Sequence, residues 1–373
     1  MLKGMRILNN NNIRKSNYEL LRIISMVLIV AHHYAIHSGF EFGNKFNFIN
    51  ESIIQFLGMG GKIGDNIFFL ISGYFLINSS NIKINKVIKL WLDIVLHNII
   101  LLFLIFLLNF NSISIKDYIK AFFPITLSTW WFISTYIIIY LFSPYYNKLF
   151  NSLDKKSYLK FIILAVVLWS ILPTFTGKNY QGNTLIWFTV VYAIAGYIKR
   201  FINIDNINGK KMIILSIIMV LITYIVSIAI NYFSYNFQFL KEYRNYLYIT
   251  DNSFPMFLIA LFIFLAFSKL DIKNNFINKI ATTTLGIYLI HDFFMNRDII
   301  WKKILFFSKD IFNSNAILLI MYSLGITLLV FICCCVIEII YMHSIGKVTS
   351  KFSKKIENII FSNKFYKKVE EIE

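Results

Sequence analysis

The chain has 373 residues, of which 57% are hydrophobic and only 15% are charged, and its formal net charge is +18. Soluble domains have roughly 45–50% apolar and about 25% charged residues, so this composition excludes an ordinary water-soluble enzyme. The Lys and Arg residues punctuate apolar runs and do not cluster on one soluble element. We therefore expect a lipid bilayer, and no nucleic acid, as the partner.

Ten apolar segments follow one another along the chain, and a span of a bilayer needs about 20 apolar residues. We predict that all of them are helices, because open backbone is not tolerated in lipid. The sequence thus predicts an all-α polytopic membrane protein, a bundle of about ten transmembrane helices. The segments are 18–36, 62–77, 87–109, 131–147, 158–173, 183–200, 211–233, 252–268, 281–305 and 314–343.

Two segments depart from the simple pattern. Segment 62–77 is short and interrupted by glycine, and segment 281–305 carries polar residues at helical spacing. Either is predicted to be re-entrant or packed deep in the bundle. We expect three parts of the chain: a cytoplasmic N-terminal segment (1–16), one membrane domain (17–345) and a charged cytoplasmic tail (346–373).

The distribution of basic residues predicts the orientation. With ten spans, the side that holds the N-terminus has 25 Lys and Arg residues and the opposite side has 11. Cytoplasmic connections carry the excess of basic residues. The split predicts that both termini are cytoplasmic and that the protein lies in a cell membrane, with the bacterial cytoplasmic membrane favoured.

The first helix contains ionisable residues, which are costly in a membrane and mark functional sites by default. Arg22 and His33 are eleven residues apart, so they share a helix face at a separation of roughly 16 Å. One extended ligand could touch both. A structural interpretation stays open: Arg22 extends to the interface and His33 bonds a neighbouring helix.

His33 has the side chain best suited to general base catalysis near neutral pH. At membrane depth, such a group either activates a nucleophile or carries protons. His33 and His37 form an i, i+4 pair, but no HExxH pattern or nearby ligand set completes a metal site. We therefore predict that the site binds no metal.

Further polar or aromatic residues follow in the later segments. Asn66 and Ser72 supply hydrogen bonds in a glycine-containing helix, which by itself indicates helix packing. Lys86 and Lys89 share a helical face and could bind phosphates or anchor the helix at headgroups. Trp131 belongs to an aromatic belt, and His291 lies at the outer end of its segment.

Taken in order, these segments resemble the membrane acyltransferase-3 family over roughly residues 17–345. Each piece is weak alone, but six pieces in order are specific. They are the Arg22-ten-residues-His33 spacing, GDNIFFLISGYFL, the Lys86/Lys89 pair where many members have RxxR, Trp131-Phe132 through Pro144, WFTVVYAIAGYIKR (187–200), and Asn252-Ser253-Phe254-Pro255 onward through LGIYLIHDFFMNRDIIW.

The resemblance implies O-acetylation of sugars, cell-envelope polymers or small molecules. The donor would be acetyl-CoA, with its phosphates held by Arg22, Lys86 and Lys89. The thioester would reach His33, which acts as general base or transiently accepts the acyl group. Residues orienting or supporting the substrates would be Asn66, Ser72, Trp131 and His291.

Two departures from the family pattern matter. Many members have an acidic residue where Asn66 stands, and the RxxR pair is Lys-rich here, which keeps charge but loses bidentate phosphate recognition. Some members carry a fused SGNH-type esterase domain. We expect no such domain in this chain, so a separate extracytoplasmic transferase is an expected partner.

Two rival functions stay open. Transporters or flippases for an envelope saccharide also place ionisable residues in apolar helices, although no inverted repeat is readable here. A non-enzymatic partner in polysaccharide assembly would keep the fold but tolerate loss of His33. We expect a carbohydrate or envelope polymer to contact outer loops such as 37–62 and 232–254.

Overall fold

The computed structural model describes residues 15–43, 47–79, 81–108 and 113–362. Every regular element in these ranges is a helix. Most of the predicted N-terminal segment (1–14) and the last part of the predicted tail (363–373) lie outside the described residues. The α-helices are α1 (Ser16–His37), α2 (Phe48–Leu76), α3 (Ile84–Leu107), α4 (Ile115–Phe122), α5 (Trp131–Ser152), α6 (Lys155–Val166), α7 (Leu172–Thr176), α8 (Thr184–Phe201), α9 (Gly209–Ser234), α10 (Tyr246–Ile249), α11 (Phe254–Ser268), α12 (Asn275–Ala281), α13 (Thr284–His291), α14 (Asn296–Asp298), α15 (Ser308–Phe312), α16 (Ala316–His343) and α17 (Ile345–Ser362).

Six helical stretches of the described chain are long and apolar enough to cross a membrane. The predicted all-α multi-pass membrane protein is confirmed at this level, while the count of about ten spans and the cytoplasmic termini stay predictions. A π-helical turn, Val167–Ile171, joins α6 to α7 into one stretch. The six are Ser16–His37, Ile84–Leu107, Lys155–Thr176, Gly209–Ser234, Gln238–Ser268 and Ala316–His343.

The second predicted segment, 62–77, is the end of a much longer helix. Residues 48–61, which we expected in an outer loop, form the first half of α2. Hydropathy missed them because they include polar side chains, but these are buried and bonded within the protein. Asn50 donates to the carbonyl oxygen of Phe312 (2.7 Å), and Glu51 accepts from Asn231 (3.0 Å). Polar groups satisfied in this way are tolerated inside a protein.

The ninth predicted segment, 281–305, is not one continuous helix. Its main helix, α13, ends at His291, and α14 and a π-helical turn, Ile299–Ile304, follow. The side chain of Asn296 donates to the carbonyl oxygen of Ile290 (2.7 Å) at the break. Irregular backbone at membrane depth is tolerated where protein buries it, and Asp292 and Phe293 are buried here.

Close contact between α1 and α2 positions the site. A Cβ atom at Gly61 would lie 2.4 Å from Cγ of His32, and one at Gly64 would lie 2.7 Å from the carbonyl oxygen of Ser25. Only glycine leaves room for the neighbour at these two positions, and small residues allow close helix approach. The order of the contacts also shows that α1 and α2 run antiparallel.

The predicted charged tail is helical as far as it is described. Residues Ile345–Ser362 form α17, which packs against α3. The backbone N–H of Asn85 donates to Oε1 of Glu357 (3.1 Å), and the hydroxyl of Thr349 donates to Oδ1 of Asp93 (2.7 Å). These contacts place α17 at the end of the bundle where α3 begins.

Candidate active site

One face of α1 carries the two residues that the sequence singled out. Arg22, Met26, Ile29 and His33 follow one another at spacings of three or four residues, so their side chains form a stripe along the helix. The helix is regular over its whole length, Ser16–His37. It therefore holds Arg22 and His33 roughly 16 Å apart along one line.

A cavity of about 390 Å³ lies along the first three residues of this stripe, between α1, α2, α3, α5 and α13. Arg22 and Lys86 lie on its lining, and the remaining lining is mostly apolar and aromatic. Asp65 lies at the end of the cavity away from Arg22. This follows because α2 runs antiparallel to α1 and Gly64 faces Ser25. His33 is the next residue of the stripe, one turn beyond the lining residue Ile29.

Of the three predicted phosphate-binding cations, two line the cavity and one does not. Arg22 lines the cavity, is about one-third exposed (32%) and pairs with Glu19 (3.2 Å), which lies one turn earlier in the helix. Lys86 lines the cavity and is exposed. Lys89 is not part of this lining and pairs with the buried carboxylate of Asp93. Two of the three cations are therefore placed where a ligand in the cavity would meet them.

His33 is hydrogen-bonded to His291. The distance between Nδ1 of His33 and Nε2 of His291 is 2.8 Å, and Nδ1 of His291 lies 2.5 Å from the carbonyl oxygen of Ile287. A carbonyl oxygen only accepts, so Nδ1 of His291 carries the proton, and Nε2 of neutral His291 accepts from Nδ1–H of His33. This chain of hydrogen bonds leaves the lone pair of His33 on Nε2, where it can take a proton from another molecule.

Asp292 lies beside this histidine pair and is bound by Arg297. Its two carboxylate oxygens accept from Nε (2.7 Å) and Nη2 (3.0 Å) of Arg297. Together with His33 and His37, Asp292 offers ligand atoms within 4.8 Å of one another, as a metal ion would require. Both oxygens are already bonded to Arg297, and the nearer His33 nitrogen is bonded to His291. The geometry therefore favours a hydrogen-bonded cluster, and a metal-free site stays a prediction.

Comparison with known proteins decides the family. A family model described as an acyltransferase domain, Acyl_transf_3, matches residues 15–339. The chain belongs to the acyltransferase-3 family. The predicted resemblance is thus confirmed, and it identifies a membrane acyltransferase in general terms. Comparisons with curated proteins and with solved structures give no match.

Three of the four expected supporting residues, Asn66, Trp131 and His291, are not part of the cavity lining. Asn66 is fully buried, donates to the carbonyl oxygens of Lys62 (2.8 Å) and Asp251 (2.9 Å), and accepts from Nε1 of Trp187 (3.0 Å). Trp131 packs beneath the ammonium group of Lys62, which lies 5.0 Å from the ring. These contacts hold α2, α5 and α8 together.

Ser72 is the expected supporting residue that lines the cavity, and its hydroxyl donates to the carbonyl oxygen of Phe68 (2.8 Å). Asp65 lines the same cavity and lies 3.7 Å from the Lys62 ammonium group. Helical spacing could have found it, because positions 65 and 72 are about 20° apart around a helix, whereas position 66 lies on another face. In this family member, the acidic side chain in the cavity therefore comes from the residue before Asn66.

Tyr288 is a second lining residue that the sequence analysis did not select. It lies one turn before His291 on α13, and the ring centroids of the two residues are 6.3 Å apart. Tyr288 therefore contacts both the cavity and the ring of His291, the partner of His33. The i, i+3 spacing from His291 was the available signal.

Proposed function

We propose that this family member is an O-acetyltransferase that moves an acetyl group from cytosolic acetyl-CoA to a hydroxyl group of a cell-envelope sugar, polysaccharide or precursor. The observation that carries the proposal is the continuous stripe on α1. It joins a cavity with two cations to a histidine whose hydrogen bonds leave one ring nitrogen able to accept a proton. The role that we propose for it is polysaccharide modification at the bacterial cytoplasmic membrane.

The donor would enter at the Arg22 and Lys86 end. A cavity of about 390 Å³ falls within the range of roughly 300–1,000 Å³ for small-molecule sites. We assign it to the pantetheine arm and acetyl group, with the nucleotide phosphates outside against the two cations. The apolar lining suits the arm, and the cations supply charge where phosphates need it.

His33 would act on the acceptor. Nε2 of His33 takes the proton of the acceptor hydroxyl while its oxygen attacks the thioester carbonyl carbon. The tetrahedral intermediate then collapses, the carbon–sulfur bond breaks, and the departing CoA sulfur receives the proton from the His33 imidazolium. Direct transfer in this way and transient acetylation of His33 use the same nitrogen. His291 would hold the His33 ring in the required orientation throughout.

Tyr288 would stabilise the charge that develops on the thioester oxygen. A phenol hydroxyl donates one hydrogen bond, and a donor fixed beside an apolar site is effective because little solvent competes. The ring is buried, and Trp130 packs against it with a centroid separation of 5.1 Å. Its orientation is therefore fixed by packing before the substrate arrives.

The acceptor would approach from the other end of α1. His37 and Arg297 are partly exposed there, next to the buried Asp292 carboxylate. Such polar groups suit the hydroxyl-rich surface of a saccharide. Positive-inside orientation would place this end outside the cell and both termini in the cytoplasm, so that donor and acceptor meet at His33 from opposite sides.

The test is release of CoA by the purified full chain in lipid vesicles. Acetyl-CoA is supplied with a panel of neutral and acidic saccharides, and CoA thiol and acetylated saccharide are both measured. We expect equal amounts of the two products. Transport of a saccharide across the vesicle membrane with no consumption of acetyl-CoA would contradict the proposal and support the transporter alternative.

A further inference from the structure

Helix α17 has three distinct faces. The first face packs on α3 and is mixed: Thr349 and Ser353 are 3% and 2% exposed, and Ile356 and Ile360 are half-buried on the same side. The second carries the exposed lysines Lys347, Lys351 and Lys354, and the exposed Lys355 lies at its border with the third face. The third is apolar and open: Val348 is 65% exposed and Phe352 is 52% exposed. Helix α17 thus buries a mixed face and leaves a separate apolar stripe exposed.

The hydrogen bonds of α17 explain why some of its polar side chains are turned inward. Oδ1 of Asp93 accepts from Thr349 (2.7 Å) and from the hydroxyl of Tyr341 (3.0 Å), so the buried carboxylate is satisfied by α16 and α17. Glu357 accepts from the backbone N–H of Asn85 at the first turn of α3. The acidic group of α17 is thus used in the contact with α3, and the exposed faces keep four lysines.

The height of α17 along the bundle fits the membrane interface. Its contacts with α3, at Asn85 and Asp93, bracket Trp91, which is 41% exposed. Tryptophan is enriched at the level of the lipid headgroups. Farther along α3, Phe103 and Phe106 are 58% and 64% exposed, as expected for residues that contact lipid chains.

We propose that the exposed surface of α17 binds an anionic phospholipid leaflet. Val348 and Phe352 enter the boundary between headgroups and acyl chains, and the four lysines contact lipid phosphates. An apolar stripe bordered by lysines has the composition of helices that bind the membrane interface, and charge complementarity selects anionic lipid. Helix α17 also contacts the site, because its Glu357 accepts a hydrogen bond from Asn85, the neighbour of the cavity residue Lys86.

The experiment uses the full chain with a photoreactive benzoylphenylalanine at position 352, reconstituted in bilayers of phosphatidylcholine alone or mixed with phosphatidylglycerol. Lipid adducts on the α17 peptide are counted by mass spectrometry. We expect the phosphatidylglycerol mixture to give about tenfold more adduct. The same probe at position 350, on a different face of α17, is the matched control and should give little adduct.

Replacing the four exposed lysines by glutamine should remove the dependence on phosphatidylglycerol, and replacing them by arginine should keep it. These side chains are exposed, so neither variant threatens the packing on α3. Equal adduct yields in both bilayers, or adducts formed mainly with another protein segment, would overturn the proposal. The readout does not involve acetyl-CoA, so its failure is distinguishable from failure of the proposed transferase activity.

Discussion

The two ends of the α1 stripe are built differently. At the Arg22 end, the side chains are partly exposed, and the cations stand at the edge of a mostly apolar cavity. At the His33 end, imidazoles, a carboxylate and a guanidinium form a hydrogen-bonded cluster in which His291 and Asp292 are almost fully buried. The side chains at the Arg22 end of α1 are thus free to adjust to a ligand, whereas those at the His33 end are held in place by hydrogen bonds.

The difference assigns separate tasks to the two ends. Exposed cations gain modest energy from any one contact but tolerate movement of a charged ligand. Buried polar groups are costly unless each is satisfied, and a satisfied cluster holds its members in one geometry. We therefore expect substitutions at the Arg22 end to weaken donor binding and substitutions at the His33 end to slow the chemical step.

The largest effect should come from His33. His33→Gln keeps hydrogen-bonding capacity but removes the base, so the rate of acetyl transfer per folded molecule should fall about 10²–10⁴-fold. The matched control is His32→Gln. His32 is buried against Gly61 and bonded to the carbonyl oxygen of Gly58 (2.6 Å), so its replacement should reduce the yield of folded protein and leave the rate per folded molecule near normal. The reverse order of effects would show that His33 is structural.

Arg22→Ala should have the next largest effect. A hydrogen bond to a charged group contributes about 1.5–3 kcal/mol, so loss of this guanidinium should weaken CoA binding about 10- to 100-fold. Calorimetric titration of the detergent-solubilised protein with CoA measures this change. Arg22→Lys keeps the charge but loses the planar donor group, so its CoA affinity should lie between those of the wild-type protein and Arg22→Ala. Unchanged CoA affinity in Arg22→Ala would assign Arg22 to anchoring at the interface.

A smaller effect is expected at His291. His291→Gln would lose the donor and acceptor pattern that fixes the His33 ring, a contribution of about 1 kcal/mol and therefore about a fivefold drop in rate. The KM for acetyl-CoA should stay the same, because His291 does not touch the cavity. A variant with a normal rate would show that His33 needs no orienting partner.

The smallest effect distinguishes two neighbouring lysines. Lys86→Ala should weaken CoA binding about two- to fivefold, as expected for an exposed charge. Lys89→Ala should leave CoA affinity unchanged, because Lys89 pairs with Asp93 away from the cavity lining. Equal weakening by both substitutions would contradict the division of cations described above.

Local spacing predicted the parts of this site that lie within one helix. The Arg22–His33 face follows from the helical repeat, and the family follows from six motifs in order. Long-range contacts were not predictable in this way: Asp93 accepts bonds from Tyr341 and Thr349, about 250 residues later in the chain. The cluster at Asp292 also escaped prediction, because it requires the break after α13 that brings Arg297 back onto the carboxylate.

The first half of α2 shows why hydropathy misplaced a helix end. Glu51 and Asn50 lower the apolar average, but partners from α9 and the chain near α15 satisfy them. Hydropathy measures the exchange of a side chain between water and lipid and carries no information about such partners. Polar residues buried inside the bundle are therefore the ones most easily assigned to a loop.

The most direct test of the account compares Arg22→Ala and His33→Gln in two assays on the same preparations: CoA affinity, and the rate of a single turnover at saturating acetyl-CoA. We predict a crossover. Arg22→Ala should bind CoA weakly but react at a near-normal rate once saturated, whereas His33→Gln should bind CoA normally and react at least 100-fold more slowly. Loss of both properties in both variants, or a normal single-turnover rate in His33→Gln, would contradict the separation of donor binding from chemistry along α1.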